Sequence, residues 1–343
     1  MKNKLLLFLV KIFSFWIKKN PLANRILVIS TTALGDSLWA TPSLESLRKS
    51  YPNAYIGLLT SPVGEQVLRH NPWVDQTWVL KEPLSLQFLS LWKKLRKEQF
   101  DTILILHASQ RLILPLAALL GASKVIATAK INKGLDVLLS ESIAPQKEHE
   151  IVRRLRLLEA LGGARHTETL SFFLQQTEEH PPLPKGTWIG LHPGSKDAFK
   201  RWPSSHFVEL GKKLQEQGFH ILVTGGKDEQ DLVQEVAQAI PGAIQSNPAL
   251  SIRQLGGLLK HLNLLISNDT GPFHLACALG VRAIGLYAST DPSLCGPHQA
   301  TSGLAISRPP TCVPCMKRAC HRPFCMLQIG PQEVLRTALK VLS

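Results

Sequence analysis

Ser267-Asn268-Asp269-Thr270-Gly271-Pro272-Phe273-His274 is the stretch on which the reading of this chain turns. Leu262 to Ile266 ahead of it has the composition of a short buried strand, and Leu275 to Leu279 behind it that of the first turns of an apolar helix. The polar cluster therefore marks a strand-to-helix switch. Free backbone N–H groups and the positive end of a helix dipole converge at such a point. Gly271 lets a ligand approach the backbone, and Pro272 suits the first helical turn. An anion is the ligand this chemistry accepts; the plainer alternative is a helix start capped by Asp269 or Thr270.

Upstream, the same design recurs at two more strand ends. Trp188 to Leu191 reads as a strand that runs into His192-Pro193-Gly194-Ser195-Lys196-Asp197-Ala198-Phe199-Lys200-Arg201-Trp202-Pro203. His220 to Thr224 reads as a strand that runs into Gly225-Gly226-Lys227-Asp228-Glu229. Helices are expected over 205–217, 230–239 and 252–260, and a last strand over 283–287. Cations beside a helix N-terminus suit a diphosphate, and a carboxylate such as Glu229 suits ribose hydroxyls. Each loop alone is an ordinary glycine-rich connection with solvated charge, but three on successive strand ends converge on one kind of ligand.

The first half alternates as well. Strands are expected over 25–30, 55–59, 76–80 and 101–106, and helices over 37–50, 63–69 and 84–97, which indicates a parallel sheet covered on both faces. No Gly-x-Gly-x-x-Gly comes after the first strand, which argues against a dinucleotide site there. Gly35-Asp36 stands in that place, and Asp36 opens a helix, either as its cap or as a general base. The polar, proline-rich run from Gln175 to Gly186 reads as a connection, with the linker proper at 179–186. The fold class is thus α/β: a Rossmann-like domain over 21–178, a second over 187–330, and a final amphipathic helix over 331–343. Two such domains would leave a cleft between the carboxyl ends of their sheets.

Composition narrows the partners. In 343 residues, 39 Lys and Arg stand against 25 Asp and Glu, a formal charge of +14 that favours an anionic partner. Nucleic acid fits poorly, because aromatics are 6% of the chain and no RNP-like, zinc-finger or basic-helix pattern occurs. Residues 1–20 form a separate object. Leu5 to Ile17 is apolar but interrupted by Lys11, and such a helix covers roughly 20 Å against the roughly 30 Å of a bilayer core. Lys4, Lys11 and Lys18 fall on one stripe, which suits an amphipathic helix lying on an anionic membrane surface. An export signal is the competing reading.

Gly35-Asp36, His192-Pro193-Gly194-Ser195, Lys200-Arg201-Trp202-Pro203, Gly225-Gly226 and Asn268-Asp269-Thr270-Gly271-Pro272-Phe273-His274 together resemble glycosyltransferase family 9, the ADP-heptose:lipopolysaccharide heptosyltransferases. The resemblance runs from about Arg25 to Pro292. It implies a GT-B fold, an inverting transfer from ADP-L-glycero-D-manno-heptose to the Kdo-lipid A inner core, and a peripheral place on the cytoplasmic face of the bacterial inner membrane. By the same resemblance Asp36 is the catalytic base and Lys200 binds phosphate, with Ser195 near the diphosphate and Glu229 near the ribose. Asp269, Thr270, Gly271 and His274 form the donor motif. No cofactor is expected for catalysis, since no Asp-x-Asp occurs and Lys200 with backbone dipoles stands where a divalent ion would. Readings from other classes are a different sugar-nucleotide enzyme on this fold, such as an epimerase, and a non-catalytic membrane-associated relative.

Cys312, Cys315, Cys320 and Cys325 depart from that family. Their spacing suits a structural zinc, a reduced thiol cluster or a pair of disulfides, according to compartment.

Overall fold

β-branched, apolar runs build two parallel sheets in the computed structural model. It describes residues 4, 6–8, 10, 12, 19–20, 24–81, 83–178, 180–298, 302–309, 320 and 324–343. The chain divides into two compact units, 1–168 and 169–343. That division falls ahead of the proline-rich connection. One reason is local: Arg253 of the second unit is ion-paired with Glu178 and donates to the Phe173 carbonyl, so the residues just after 168 are fastened to the second unit.

The first unit runs β1 (Arg25–Ser30), α1 (Leu34–Trp39), α2 (Thr41–Ser50), β2 (Tyr55–Thr60), α3 (Pro62–Leu68), β3 (Gln76–Val79) and α4 (Leu84–Lys97). It continues through β4 (Thr102–His107), α5 (Ile113–Ala118), β5 (Lys124–Thr128), β6 (Glu141–Ile143) and α6 (Glu150–Leu161). Its strand order is β3-β2-β1-β4-β5-β6, all parallel. The chain winds outward one way from β1 and then returns to wind the other way from β4. The point between β1 and β4 is therefore a topological switch point, where α/β sheets open a crevice at their carboxyl ends. Leu27, Ile29, Ile103 and Ile105 of the central strands join Leu91, Leu95 and Phe100 in the core. The helix expected over 37–50 is broken at Ala40, where Pro42 lacks the N–H that a continuous helix would use.

The second unit repeats the plan with β7 (Trp188–His192), α7 (Ser204–Glu216), β8 (His220–Val223), α8 (Gln230–Ala239), β9 (Ile244–Gln245), α9 (Ile252–Leu259) and β10 (Leu264–Asn268). Then come α10 (Gly271–Ala278), β11 (Ala283–Tyr287), α11 (Pro292–Cys295), β12 (Gly303–Ser307), α12 (Phe324–Leu327) and α13 (Pro331–Leu342). The order is β12-β11-β10-β7-β8-β9, so the switch point lies between β7 and β10. The last helix, α13, closes this unit's own core: Val334, Leu335 and Ala338 pack with Leu210, Leu214, Met326 and Ile329.

Much of the segment 1–20 lies outside the described residues. Of those described, Leu6 and Leu7 pack on the first core and Val10 is buried, while Phe8 and Ile12 are exposed. No helix among the described residues is long and apolar enough to cross a membrane. Cys312 and Cys315 also lie outside the described residues, so the expected thiol cluster does too. Cys325 sits in the second core.

Candidate active site

At the first switch point, β1 ends in Ser30 and the chain turns through Thr31 to Ala33 into α1. The Thr31 N–H donates to the His107 carbonyl at the end of β4 (3.1 Å), which ties the two strand ends together. Asp36 occupies the first turn of α1 but does not cap it: the N-cap position belongs to Ala33, and no side chain caps this helix. The carboxylate instead accepts from Arg154 Nη2 at 3.1 Å. Capping is thereby set aside for Asp36, and its oxygens are turned to an ion pair.

Arg154 has no exposed side-chain surface, and it stands within a network. Its Nη1 donates to the Glu150 carboxylate and to the Glu150 carbonyl (3.0 Å), and its guanidinium lies 5.5 Å from the Trp39 ring centre. Arg153 Nη2 reaches Glu150 Oε2 at 2.6 Å, and Arg153 Nη1 reaches Thr128 Oγ1 at 3.1 Å. Arg153 Nη2 also lies 3.2 Å from His107 Nδ1. A guanidinium only donates, so Nδ1 accepts and the His107 proton sits on Nε2. Burial lowers the His107 pKa, and the two arginine charges lower it further against the pull of Asp36. Burial alone would raise Glu150, but Arg154, together with the charge and hydrogen bond of Arg153, brings it down to about 2.

Asp36, His107 and Glu150 each offer a ligand atom within 4.8 Å of the others. Two guanidiniums already neutralise the two acids, so these residues form an ion-pair network with little to offer a cation. Arg153, Arg154, Glu150 and His107 are absent from the sequence expectations. Three of them lie on α6, more than a hundred residues from Asp36, where a charged helix looks like a solvated face.

At the second switch point the three expected loops come together. Asn268, fully buried at the end of β10, fastens the 192–203 loop to its own strand at both ends. Its Oδ1 accepts from the Trp202 N–H at 2.9 Å, and its Nδ2 donates to the carbonyls of Pro193 (2.8 Å) and Gly194 (3.1 Å). Lys200 Nζ donates to Asp269 Oδ2 at 2.6 Å. Thr270 takes the N-cap position of α10 but makes no cap; its hydroxyl lies 3.1 Å from Ser267 Oγ. Neither Asp269 nor Thr270 therefore caps α10, and its first turn keeps the polarity that favours an anion.

Glu229 closes the third loop. Its Oε2 accepts from the Gly226 N–H at 3.0 Å and stands 3.8 Å from His192 Nε2. A Cβ on Gly194 would lie 2.2 Å from the Glu229 carboxyl carbon, so only glycine lets the carboxylate rest against that loop. His192 Nδ1 lies 3.0 Å from Thr224 Oγ1, and burial lowers its pKa although Glu229 opposes this. Ser195 is buried, and its carbonyl accepts from Arg201 Nε at 2.8 Å. His274 is buried in α10 with its ring edge on Phe273, so it stands behind the loop. Beside the loop, Tyr287 is buried with its hydroxyl unpartnered. Burial and then the Asp269 charge raise its pKa well above the usual value.

Known proteins share the family and the fold. The model of glycosyltransferase family 9 (heptosyltransferase) matches residues 88–324, more than half of the chain. Lipooligosaccharide heptosyltransferase 2 of Campylobacter jejuni is 24% identical over 330 residues, covering 92% of this chain and 99% of the relative. A solved glycosyl transferase family 9 structure from Veillonella parvula superposes with a TM-score of 0.83 at 23% identity, covering 93% and 97% of the two chains. The structure of the ADP-heptose LPS heptosyltransferase II of E. coli gives 0.76 at 19% identity, covering 93% and 98%. Both likenesses extend to the GT-B fold, in which two Rossmann-like units succeed one another along the chain. The chain belongs to glycosyltransferase family 9, the heptosyltransferases, and is a glycosyltransferase.

Proposed function

We propose that the chain transfers a heptose from ADP-L-glycero-D-manno-heptose to the Kdo-lipid A inner core of lipopolysaccharide, with inversion at the anomeric carbon. The observation that carries the reading is the uncapped start of α10 beside Lys200 and Asp269 at the β7/β10 switch point, a site suited to a diphosphate. The names of the relatives agree, since they act as lipooligosaccharide and ADP-heptose heptosyltransferases.

In this mechanism Lys200 exchanges Asp269 for the diphosphate, and Glu229 accepts from the ribose hydroxyls. Asp36 removes the proton from the acceptor hydroxyl as its oxygen bonds to the anomeric carbon. The bond from that carbon to the diphosphate oxygen breaks, and ADP leaves with its growing negative charge met by Lys200 and the α10 N–H groups. Arg154 fixes the orientation of the Asp36 carboxylate. No divalent ion takes part, and a zinc at Cys312, Cys315, Cys320 and Cys325 would serve structure only. The enzyme works at the cytoplasmic face of the bacterial inner membrane, where its lipid acceptor resides.

The test is transfer from ADP-heptose to Kdo-lipid A by the purified chain in EDTA, with Asp36→Ala alongside. Transfer is expected to persist in EDTA and to fall about 10²–10⁴-fold in the variant, with ADP-heptose binding retained. A wild-type chain that binds ADP-heptose but transfers nothing overturns the acceptor. One that does not bind ADP-heptose overturns the donor.

A further inference from the structure

Helix α4 has 14 residues and an unusual outer face. Leu84, Leu91 and Leu95 point into the first core, as its amphipathic pattern requires. Leu86 and Leu89, however, are 84% and 70% exposed. Leu86, Leu89, Ser90, Lys93 and Lys97 have the spacing i, i+3, i+4, i+7, i+11, which is a single stripe along the helix. The stripe is apolar at its N-terminal end and cationic at the other, where Lys94 adds a third exposed lysine. None of the three lysines has an acidic partner among the described residues.

The apolar end does not stop at the helix. A cleft of about 370 Å³ opens beside it, lined by Leu6, Val10, Phe88, Leu89, Leu112 and Leu119. Phe8 and Ile12, 61% and 43% exposed, extend the apolar surface along the N-terminal segment. An apolar patch of this kind, flanked by cations in a chain of charge +14, is complementary to one surface in particular. An anionic bilayer offers acyl chains to the leucines and phosphates to the lysines one to two helical turns away.

We infer that the outer stripe of α4, with Leu86 and Leu89 at its apolar end and Lys93, Lys94 and Lys97 at the other, docks the first unit on an anionic membrane surface, together with Phe8 and Ile12. The inference rests on the reading that the acceptor is a membrane glycolipid, and gives that reading a physical surface. The helix enters the interface by its N-terminal end, the leucines reach the acyl boundary, and the lysines stay among the head groups.

The experiment is flotation of the full chain with phosphatidylglycerol–phosphatidylethanolamine vesicles and with phosphatidylcholine vesicles. The wild type is expected to float with the anionic vesicles. Leu86→Glu with Leu89→Glu should cut the bound fraction at least tenfold, and Lys93→Glu with Lys97→Glu should cut anionic binding alone. Both leucines are at the surface, so the circular dichroism should not change; Leu86→Ser with Leu89→Ser gives the same comparison with a milder change. Undiminished flotation of the leucine variants overturns the proposal, as does a wild type that stays with the unbound fraction. A wild-type dimer that becomes a monomer in the leucine variants, with flotation unaltered, would hand this face to a second copy of the chain. Asp36→Ala should float like the wild type. Should the wild type float by way of the stripe yet transfer to neither vesicle-embedded nor deacylated Kdo acceptor, the docking surface stands and the proposed acceptor falls.

Discussion

At the scale of single residues, Asp36 and Glu150 show how two neighbouring arginines can grip two acids unequally. Glu150 is gripped by both guanidiniums and has its pKa brought down to about 2, whereas Asp36 accepts from Arg154 alone. Glu150 fixes Arg154, which in turn aims the Asp36 carboxylate. Glu150 has a folded pKa below its ordinary 4.5, so its contribution is fully present above about pH 4.5 and is lost as the pH falls through about 2. Glu150→Gln should therefore lower stability at pH 7 by on the order of 2–3 kcal/mol, and urea titrations of variant and wild type should converge as pH approaches 2. A gap that is the same at pH 7 and pH 2.5 would show that Glu150 acts by shape and not by charge. Asp36 is legible in the sequence because Gly35-Asp36 comes directly after a clean strand. Its partners are not, because a fully buried arginine on α6 has the same letter as a solvated one, and only the fold reveals its burial.

At the scale of elements, the second site is a matter of loops held by backbone contacts, and its tightest constraint is Gly194 against Glu229. The glycine is needed for space, since a methyl there would press on the carboxyl carbon at 2.2 Å. Gly194→Ala should cost about 1–3 kcal/mol by overpacking, and adding Glu229→Ala should recover most of that loss. Denaturation midpoints of the two single variants and the double variant measure the coupling; strictly additive losses would mean that the two loops do not bear on each other. The loops themselves are visible in the sequence through their glycines and cations at strand ends. The task of Asn268 is not, although it stands in the motif, because a side chain that satisfies Trp202, Pro193 and Gly194 at once does so across some seventy residues. The region of β5, β6 and α6 is equally hard to read, since β6 is three residues long and exposed and carries no alternation to detect.

For the molecule as a whole, each unit winds its sheet outward from two central strands in the same order and gathers a cluster of polar side chains at the resulting switch point. The alternation of strands and helices is plain in the sequence, but a switch point is a property of strand order, which only long-range pairing decides. Each switch point also places a histidine at the end of a central strand: part-buried His107 on β4 and buried His192 on β7. Burial lowers the pKa of both, and Arg153 at His107 Nδ1 opposes a second ring proton there, while Glu229 only partly offsets burial at His192. Arg154, Asp36 and Glu150 also face His107; Thr224 is the other polar contact of His192. In the unfolded chain both rings titrate near about pH 6.5. The unfolded state therefore binds more protons than the folded one as the pH drops below that value, and stability present at pH 7.5 is lost on going to pH 5.5. The urea midpoint of the wild type should fall over this interval. In the chain carrying His107→Asn and His192→Asn it should fall less, because the replaced side chains no longer titrate. Equal slopes for the two chains would mean that both histidines take up protons freely in the folded state, and that neither switch point excludes charge from its ring.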